Sequence, residues 1–464
     1  MSPRVVFITY LLVVCLLSPS AMAAEPVTPN KRVLVISIDG LGFNAFQALK
    51  EHAPTLSKLA KHGAVASSET IFPSMTWPSH ASLLTGCKPM KHRILGNRVF
   101  DRKARKVIHA STVPYAKTFG VETIFDIAHK KGLKTAAILW PSTQQAKNIN
   151  FNIPEVYGQK KFTRWSTKGL LRRLKRNGLP THKLGKFSED QMFLQDTFAR
   201  DAAIKLIGLE APELMMVHFL SVDSLGHSYG PTSRPYRWGI ELVDRYVGDI
   251  LKALEKRNLL VRTNVMVVSD HGFLTIKHRF DADKLLHQKG LIKSLKRLDK
   301  GPVRTVSNGH ALFVYILKGA PKNTRTTIRQ LFASQDQVEN VFGPKDYRQL
   351  GLPTRSKESS SPDLIVLSKP NIIFGRIKGG DALLKSSAIP GMHGYLPTHP
   401  NMRPLFIAHG PDIKEFKGPI EALKGQPRPW RIQNIDIAPT LATMLGLRFS
   451  APVDGKVLNE MLGN

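Results

Sequence analysis

The chain has 464 residues, of which 42% are hydrophobic and 22% are charged. These values are ordinary for globular proteins and exclude a disordered chain, a collagen-like fibre and a polytopic membrane protein. The charge balance is unusual, since 67 Lys and Arg against 35 Asp and Glu give a formal net charge of +32. Such an excess favours an anionic partner or substrate but says little about the fold.

The first 23 residues have the pattern of a secretory signal peptide. Arg4 precedes an almost wholly apolar run at 5–17, and Ala21-Met22-Ala23 forms a small-residue cleavage site. The apolar run is shorter than the roughly 20 residues of a membrane-spanning helix, so an uncleaved anchor is the less favoured alternative. We therefore predict a periplasmic or secreted protein with no transmembrane span after cleavage.

Strand-like and helix-like segments alternate along the chain. Five short apolar runs rich in β-branched residues indicate buried strands: 33–38, 135–140, 214–222, 265–269 and 404–408. We predict that 33–38, 214–222 and 265–269 are parallel, because they lack a strict apolar–polar alternation, and the other two are similar in character. A helical pattern covers 239–255. The alternation predicts an α/β fold in which helices flank a mostly parallel sheet.

One long segment interrupts this alternation. Residues 276–390 are basic and contain a strand-like run at 311–317 and a loop-like stretch at 356–362. We interpret this segment as a small inserted α+β subdomain. The main core would then consist of residues 31–275 and 391–464.

A second unusual segment is strongly basic. Residues 160–186 contain ten Lys or Arg and no acidic residue. The plainer interpretation is a solvated, partly helical surface excursion. The alternative is a contact with an anionic polymer or a lipid surface, without specific recognition of nucleic acid.

Three carboxylates follow three of the predicted strands. Asp39, Asp223 and Asp270 come directly after the runs 33–38, 214–222 and 265–269. Because the carboxyl ends of parallel strands share one edge of the sheet, these acids should converge there. Three anions so close would repel one another, and a bound cation removes that cost. The pattern therefore predicts a metal site.

Three histidines strengthen this prediction. His227 lies four residues after Asp223, His271 follows Asp270 directly, and His393 stands in a loop with glycine on both sides. A mixed set of carboxylate and imidazole ligands suits zinc better than calcium or magnesium.

A hydroxyl nucleophile is expected near residue 76. In the segment 72–86, Pro78 suits the first turn of a helix and Gly86 suits its end. A hydroxyl at a helix start lies near unpaired backbone N–H groups, which favour a phosphate, although an ordinary N-cap is an equal alternative. The spacing does not choose among Ser74, Thr76 and Ser79.

Together these residues resemble the alkaline phosphatase superfamily, and within it the nucleotide pyrophosphatase/phosphodiesterase family. The ordered motifs that carry the resemblance are Thr76-Trp-Pro-Ser-His80 with Thr85-Gly86, Asp223-x-x-x-His227-x-x-Gly230-Pro231, Ser269-Asp270-His271-Gly272 and Gly391-x-His393-Gly394. Each string is short, but their order along the chain is specific. The resemblance spans residues 31–275 and 391–450 and implies an alkaline phosphatase-like fold.

The resemblance implies a two-zinc site with Thr76 as the nucleophile of phosphodiester or pyrophosphate hydrolysis. One metal would be bound by Asp39, Thr76, Asp270 and His271, and the other by Asp223, His227 and His393. Thr76 would carry a covalent phospho-threonine intermediate. The substrate would be a small phosphodiester or a nucleotide, and the metal could also be manganese or another divalent ion.

Two neighbours of Thr76 are expected to bind substrate. Members of the family usually carry Asn three residues after the nucleophile, where this chain has Ser79, so a hydroxyl would replace an amide donor toward a phosphoryl oxygen. Trp77 stands where an aromatic residue often packs against the substrate's base. Its alternative role is that of a core aromatic residue.

Three other functions compete with this interpretation. The same metals could serve a phosphomonoesterase or a phosphonate hydrolase. A sulfatase is disfavoured, because Cys87-Lys-Pro-Met-Lys91 ends in Lys and lies after the helix rather than at its start. The third alternative is a non-catalytic cationic protein that binds the cell envelope.

Overall fold

The computed structural model describes residues 31–181, 191–295, 301–415 and 432–463. The predicted signal peptide and the last five residues of the basic segment, 182–186, lie outside the described residues. The described residues from Lys31 onward form one compact unit. Within the described ranges, no helix has the length and apolar character needed to cross a bilayer.

The described strands are β1 (Arg32–Ile38), β2 (Ala64–Glu69), β3 (Arg98–Asp101), β4 (Lys106–His109), β5 (Thr135–Trp140), β6 (Phe151–Pro154), β7 (Leu214–Phe219), β8 (Thr263–Val268), β9 (Leu274–Thr275), β10 (His278–Phe280), β11 (Val303–Asn308), β12 (Ala311–Ile316), β13 (Val338–Phe342), β14 (Leu364–Ser368), β15 (Ile372–Phe374), β16 (Leu384–Ser386), β17 (Gly391–Met392), β18 (Leu405–His409) and β19 (Ile432–Gln433). The described α-helices are α1 (Phe43–Leu49), α2 (Pro54–Lys61), α3 (Thr76–Thr85), α4 (Pro89–His92), α5 (Tyr115–Thr118), α6 (Ile124–Lys130), α7 (Gln159–Trp165), α8 (Leu170–Arg176), α9 (Met192–Leu209), α10 (Ser221–Tyr229), α11 (Arg234–Glu255), α12 (Ala282–Gln288), α13 (Thr324–Ala333) and α14 (Ile437–Met444).

The main sheet has the strand order β19-β2-β18-β8-β1-β7-β5-β6. Its strands run in one direction except β18, which is antiparallel to both β2 and β8. The run 404–408 has the apolar composition of the parallel strands, but composition reports burial on both faces and not direction. The predicted mostly parallel α/β sheet is confirmed.

Both faces of the sheet are covered by helices, because successive residues of a strand point to opposite faces. On β1, Leu34 and Ile36 belong to one core with residues of α9 and α11. Val33 and Val35 belong to a second core with residues of α3, α6 and α14. These two cores hold the sheet rigid beneath the edge where its strands end.

The segment that follows β7 differs from the prediction. The strand ends at Phe219, and α10 begins at Ser221. The run 214–222 was predicted as one strand because Val222 continues its apolar character. Val222 instead belongs to α10, where it is buried in the core that contains Leu34 and Ile36.

The segment 276–390, which interrupts the alternation of strands and helices, contains its own sheets. Strands β11, β12, β14 and β13 form an antiparallel sheet, and β10 pairs with β15 and β16. The strand predicted at 311–317 is present as β12. The boundaries of the inserted subdomain remain a prediction.

Candidate metal centre

Three adjacent strands of the main sheet deliver the three acids to one place. β1 lies between β7 and β8, with Asp39 following β1 and Asp270 following β8 closely. Asp223 lies in the first turn of α10, after β7 rather than directly at the end of a strand. The predicted convergence of Asp39, Asp223 and Asp270 is present in the structure.

Gly40, the residue after Asp39, links the end of β1 to Asp270 through its backbone. The N–H of Gly40 donates to Oδ1 of Asp270 at 3.1 Å. Gly40 has φ +72°, and a Cβ there would lie 2.5 Å from the ring of Phe273. Only glycine accepts both conditions without strain.

Three histidines face these carboxylates. Nε2 of His271 lies 3.4 Å from Oδ1 of Asp39 and 3.1 Å from Oδ2 of Asp270. Nε2 of His227 lies 3.4 Å, and Nε2 of His393 3.7 Å, from the oxygens of Asp223. The predicted ligands therefore lie in one continuous cluster.

Each histidine points its other ring nitrogen at a backbone carbonyl. The acceptors of the Nδ1–H groups are Gly391 O for His227 at 3.0 Å, Gly272 O for His271 at 3.2 Å and Ser74 O for His393 at 2.8 Å. A carbonyl oxygen only accepts, so Nδ1 carries the proton of each neutral ring. The three Nε2 atoms are left with lone pairs, as in histidines that bind metals.

The electrostatics of the cluster favour a cation. Burial, and then the charges of Asp223 and Asp270, raise the pKa of Asp39 well above its usual value. Burial and neighbouring imidazoles lower the pKa of His271 and His393, whose rings stack with centroids 3.6 Å apart. Both histidines are therefore held neutral and cannot act as the counter-charge.

Two buried oxygens in the cluster lack a hydrogen-bond donor. Within the described ranges, Oδ1 of Asp39 and Oδ2 of Asp270 accept no hydrogen bond. Such atoms are costly in a protein interior unless a cation binds them. Two triads have ligand atoms within 4.8 Å of one another, Asp39–Asp270–His271 and Asp223–His271–His393. The donor set fits divalent ions that accept carboxylate and imidazole ligands, such as zinc.

Thr76 is the hydroxyl that the fold brings to this cluster. It is the first residue of α3, and its Oγ1 lies 3.4 Å from Nε2 of His271. The Ser74 hydroxyl donates to Tyr395 O, whereas the Ser79 hydroxyl bonds to Thr70 at 2.8 Å. Of the three hydroxyls that the spacing left open, Thr76 has the position suited to a nucleophile.

Two further histidines support the cluster from beneath. Nδ1 of His80 donates to Thr76 O at 2.9 Å, and its Nε2 accepts from Ser37 at 2.9 Å. His218 on β7 places Nε2 at 3.3 Å from Oδ2 of Asp39. Sequence reasoning gave no role to His80 or His218. The i+4 spacing of His80 from Thr76 is the signal in the sequence that points to this contact.

Trp77 packs as a core residue. It is 8% exposed and contacts Ala81 and Ile94. Its backbone N–H donates to Oδ1 of Asn97 at 3.1 Å. Sequence reasoning gave Asn97 no role, because twenty residues of chain separate it from Trp77.

Cys87 lies at the far end of α3 from Thr76. It follows Gly86, which ends α3 with φ +66°, and burial raises the pKa of its thiol. A helix of ten residues is about 15 Å long, which separates Cys87 from the cluster. This position does not suit the sulfatase alternative.

A family model described as type I phosphodiesterase/nucleotide pyrophosphatase matches residues 33–396. An uncharacterised pyrophosphatase/phosphodiesterase of Schizosaccharomyces pombe is 25% identical over 407 residues, which are 83% of this chain and 72% of that protein. Ectonucleotide pyrophosphatase/phosphodiesterase family member 3 of Bos taurus is 24% identical over 82% of this chain and 39% of its own length. Venom phosphodiesterase 1 of Crotalus adamanteus is 23% identical over 93% and 45%. This chain thus spans less than half of the latter two relatives.

The fold is shared with solved structures. Murine ectonucleotide pyrophosphatase/phosphodiesterase 5 superposes with a TM-score of 0.69 at 17% identity, over 93% of this chain and 100% of that one. An inactive form of the same protein has been solved in complex with AMP, with the same TM-score, identity and coverage.

Proposed function

We propose, because this chain belongs to the type I phosphodiesterase/nucleotide pyrophosphatase family, that it hydrolyses phosphodiester or pyrophosphate bonds in a metal-dependent reaction. The proposal rests on one observation: a cluster of carboxylate and imidazole atoms that only accept hydrogen bonds lies beside the Thr76 hydroxyl. Oγ1 of Thr76 lies 3.4 Å from Nε2 of His271, and His271 belongs to both triads of carboxylate and imidazole ligands. The complex of a structural neighbour with AMP supports a nucleotide as substrate.

Two divalent ions, with zinc as the preferred candidate, would be held in this centre. Asp39, Thr76, Asp270 and His271 would hold one ion, and Asp223, His227 and His393 the other. His271 lies between the two sets, since it is within 4.8 Å of members of both. When bound, such ions lower the pKa of the hydroxyl and of water and stabilise charge on the phosphoryl oxygens.

Thr76 would act as the nucleophile. Its Oγ1 forms a bond to phosphorus while the bond to the leaving-group oxygen breaks, and its proton passes to solvent. Water then attacks the phosphorus of the phospho-threonine and releases the Thr76 oxygen, which recovers a proton. Two in-line displacements therefore return the enzyme to its starting state.

The start of α3 would bind the transferred group. N–H groups of the first helical turn lack partners within the helix and favour phosphate oxygens. Oδ1 of Asn97 accepts a hydrogen bond from the backbone N–H of Trp77, the residue that follows Thr76. This bond fixes the orientation of the amide, and Nδ2 remains as a donor close to Thr76. We propose Asn97 as a donor to a phosphoryl oxygen.

Ser79 would then act indirectly. Its hydroxyl bonds to Thr70, and Thr70 Oγ1 donates to the backbone oxygen of Asp270 at 2.6 Å. This chain of hydrogen bonds would steady the strand end that presents Asp270. The contact of Trp77 with a substrate's base remains a proposal, and Trp77 is 8% exposed.

The function is tested with bis-p-nitrophenyl phosphate and p-nitrophenyl phosphate, with and without a chelator. We expect diester cleavage that is lost with the chelator and falls at least about 1000-fold in Thr76→Ala. Cys87→Ala is the matched control, since Cys87 is buried at the other end of α3 and should keep the activity. Preference for the monoester would favour the phosphomonoesterase alternative, and loss of activity in Cys87→Ala would favour a sulfatase-like site. Silence on both substrates would leave a non-catalytic protein.

A further inference from the structure

Helices α7 and α8 present a strongly basic surface. Their apolar residues Phe162, Leu170 and Leu174 are buried against the core. The exposed cations between α7 and the end of α8 are Lys160, Lys161, Arg164, Lys168, Arg172, Lys175 and Arg176. We call these seven residues the basic face. Amphipathic packing therefore turns the charges of both helices outward.

The charges of the basic face repel one another. Lys160 and Arg164 lie four residues apart on α7, as do Arg172 and Arg176 on α8. Like charges at this spacing destabilise a helix. In the part of the chain that the structure describes, no ion pair joins the basic face to a carboxylate, although the neighbouring Arg173 pairs with Glu210. An external anion would relieve this repulsion.

The basic face flanks the edge of the sheet that carries the metal centre. Strand β6 is parallel to β5, so both end at that edge. Glu155 follows β6, is buried, and lies near enough to Asp223 and Asp270 for their charges to raise its pKa. The chain turns outward at Gly158, with φ +96°, and α7 begins at Gln159. Lys160, the first cation of the basic face, thus comes five residues after Glu155.

The chemistry of the basic face suits a surface of anionic headgroups. Among the described residues 159–176, no large hydrophobic side chain is exposed, and Tyr157, three residues before Lys160, is the exposed aromatic residue beside them, so the face would adsorb to a bilayer mainly through its charges. Trp165 is half-buried, with the Lys161 ammonium 5.5 Å from its ring, and offers little platform for stacked bases. We propose that the basic face docks this protein on an anionic phospholipid surface. This docking does not depend on the metal centre.

Sedimentation with vesicles tests the proposal. The probes are phosphatidylcholine vesicles with and without about 30% phosphatidylglycerol. Each cation near an anionic leaflet strengthens binding about fivefold, so the variant Lys168→Gln/Arg172→Gln/Lys175→Gln/Arg176→Gln should bind at least about tenfold less tightly. Binding of the unmodified protein should require phosphatidylglycerol and weaken as salt is raised.

A matched variant separates a docking surface from the effect of net charge. Lys252→Gln/Lys256→Gln/Arg257→Gln/Arg262→Gln removes the same number of exposed cations near the end of α11 and before β8, at the opposite edge of the sheet. This variant should keep its vesicle affinity. All three proteins share one N-terminus, so any contribution of residues 1–23 cancels, and equal melting temperatures exclude misfolding.

Three results would overturn the proposal. The first is an equal loss of affinity in both variants, which would show that net charge alone drives binding. The second is the absence of binding to phosphatidylglycerol vesicles. The third is a basic-face variant that loses affinity for a single-stranded oligonucleotide while keeping that for vesicles, which would assign the face to nucleic acid.

Discussion

His80 donates a hydrogen bond from Nδ1 to the backbone carbonyl oxygen of Thr76 at 2.9 Å. The bond spans one turn of α3 and fixes the turn that begins with the proposed nucleophile. The Ser37 hydroxyl, on β1, holds the other side of the ring at 2.9 Å. His80 thus ties α3 to β1, the strand that Asp39 follows.

We expect His80→Ala to lower kcat by about 10-fold to 100-fold while KM changes little, because a misplaced nucleophile weakens the transition state more than substrate binding. Steady-state kinetics on a diester substrate measure the split. His92→Ala is the control, since His92 is equally buried and bonds to Ile94 N and Ser82. Both variants should lose stability, but His92→Ala should keep kcat. An equal fall in kcat would reduce His80 to a structural residue.

Asn97→Ala tests the proposed phosphoryl donor against Ser79. Removing a donor aimed at a developing negative charge costs about 100-fold to 1000-fold in kcat. Ser79→Ala removes only the bond to Thr70 and should cost less than tenfold. If Ser79→Ala proves the more damaging change, the direct contact with substrate belongs to Ser79.

Gly40→Ala should destabilise the protein and weaken metal binding. The change adds strain at φ +72° and places a Cβ 2.5 Å from the ring of Phe273. Gly132→Ala is the matched control, because Gly132 has φ +73° with nothing within 4 Å of its Cβ position. Urea unfolding and zinc titration compare the two. We expect Gly132→Ala to lose about 1 kcal/mol and Gly40→Ala distinctly more.

We expect Asp196 to make the free energy of unfolding depend on pH. Burial raises the pKa of this carboxyl from 3.8 to about 6, while it accepts from Leu220 N and Ser221 N at the start of α10. The folded protein therefore binds a proton more tightly than the unfolded chain, and stability from this group falls as pH rises from about 4 to 6. Above about pH 6 the Asp196 carboxyl no longer contributes this stabilisation.

Urea unfolding between pH 4 and pH 7 measures this effect. The difference between the pKa of Asp196 in the unfolded chain, 3.8, and in the folded protein, about 6, corresponds to about 3 kcal/mol of unfolding free energy. Asp196→Asn should remove this change in unfolding free energy between pH 4 and pH 7. Asp126→Asn is a control on α6, where the carboxylate accepts from Thr123 N. A slope unchanged in Asp196→Asn would contradict the assignment.

Much of the site was predictable from local pattern. Asp39 and Asp270 follow apolar runs that are strands, and the edge rule for parallel sheets then places them together. His271 is adjacent to Asp270, and His227 is one helical turn from Asp223. These relationships require only short-range geometry and the direction of the strands.

Other features depend on contacts between distant segments. The end of β7 at Phe219 and the reversed direction of β18 follow from packing, which composition does not report. Asn97 meets Trp77 through a loop, and His218 meets Asp39 across two paired strands, where Ser37 is the residue opposite His218. A lone Asn or His carries no signal of such a partner in a single sequence.

The metal content of defined variants tests the two-ion centre most directly. Zinc should be measured on the demetallated and reloaded protein and on Asp223→Asn and Asp270→Asn, with Asp244→Asn as a buried control distant in sequence from the ligands. We expect about two ions per chain in the unmodified protein and the control, and about one fewer in each ligand variant. A protein that binds no divalent ion, or two ligand variants that keep full occupancy, would contradict the account.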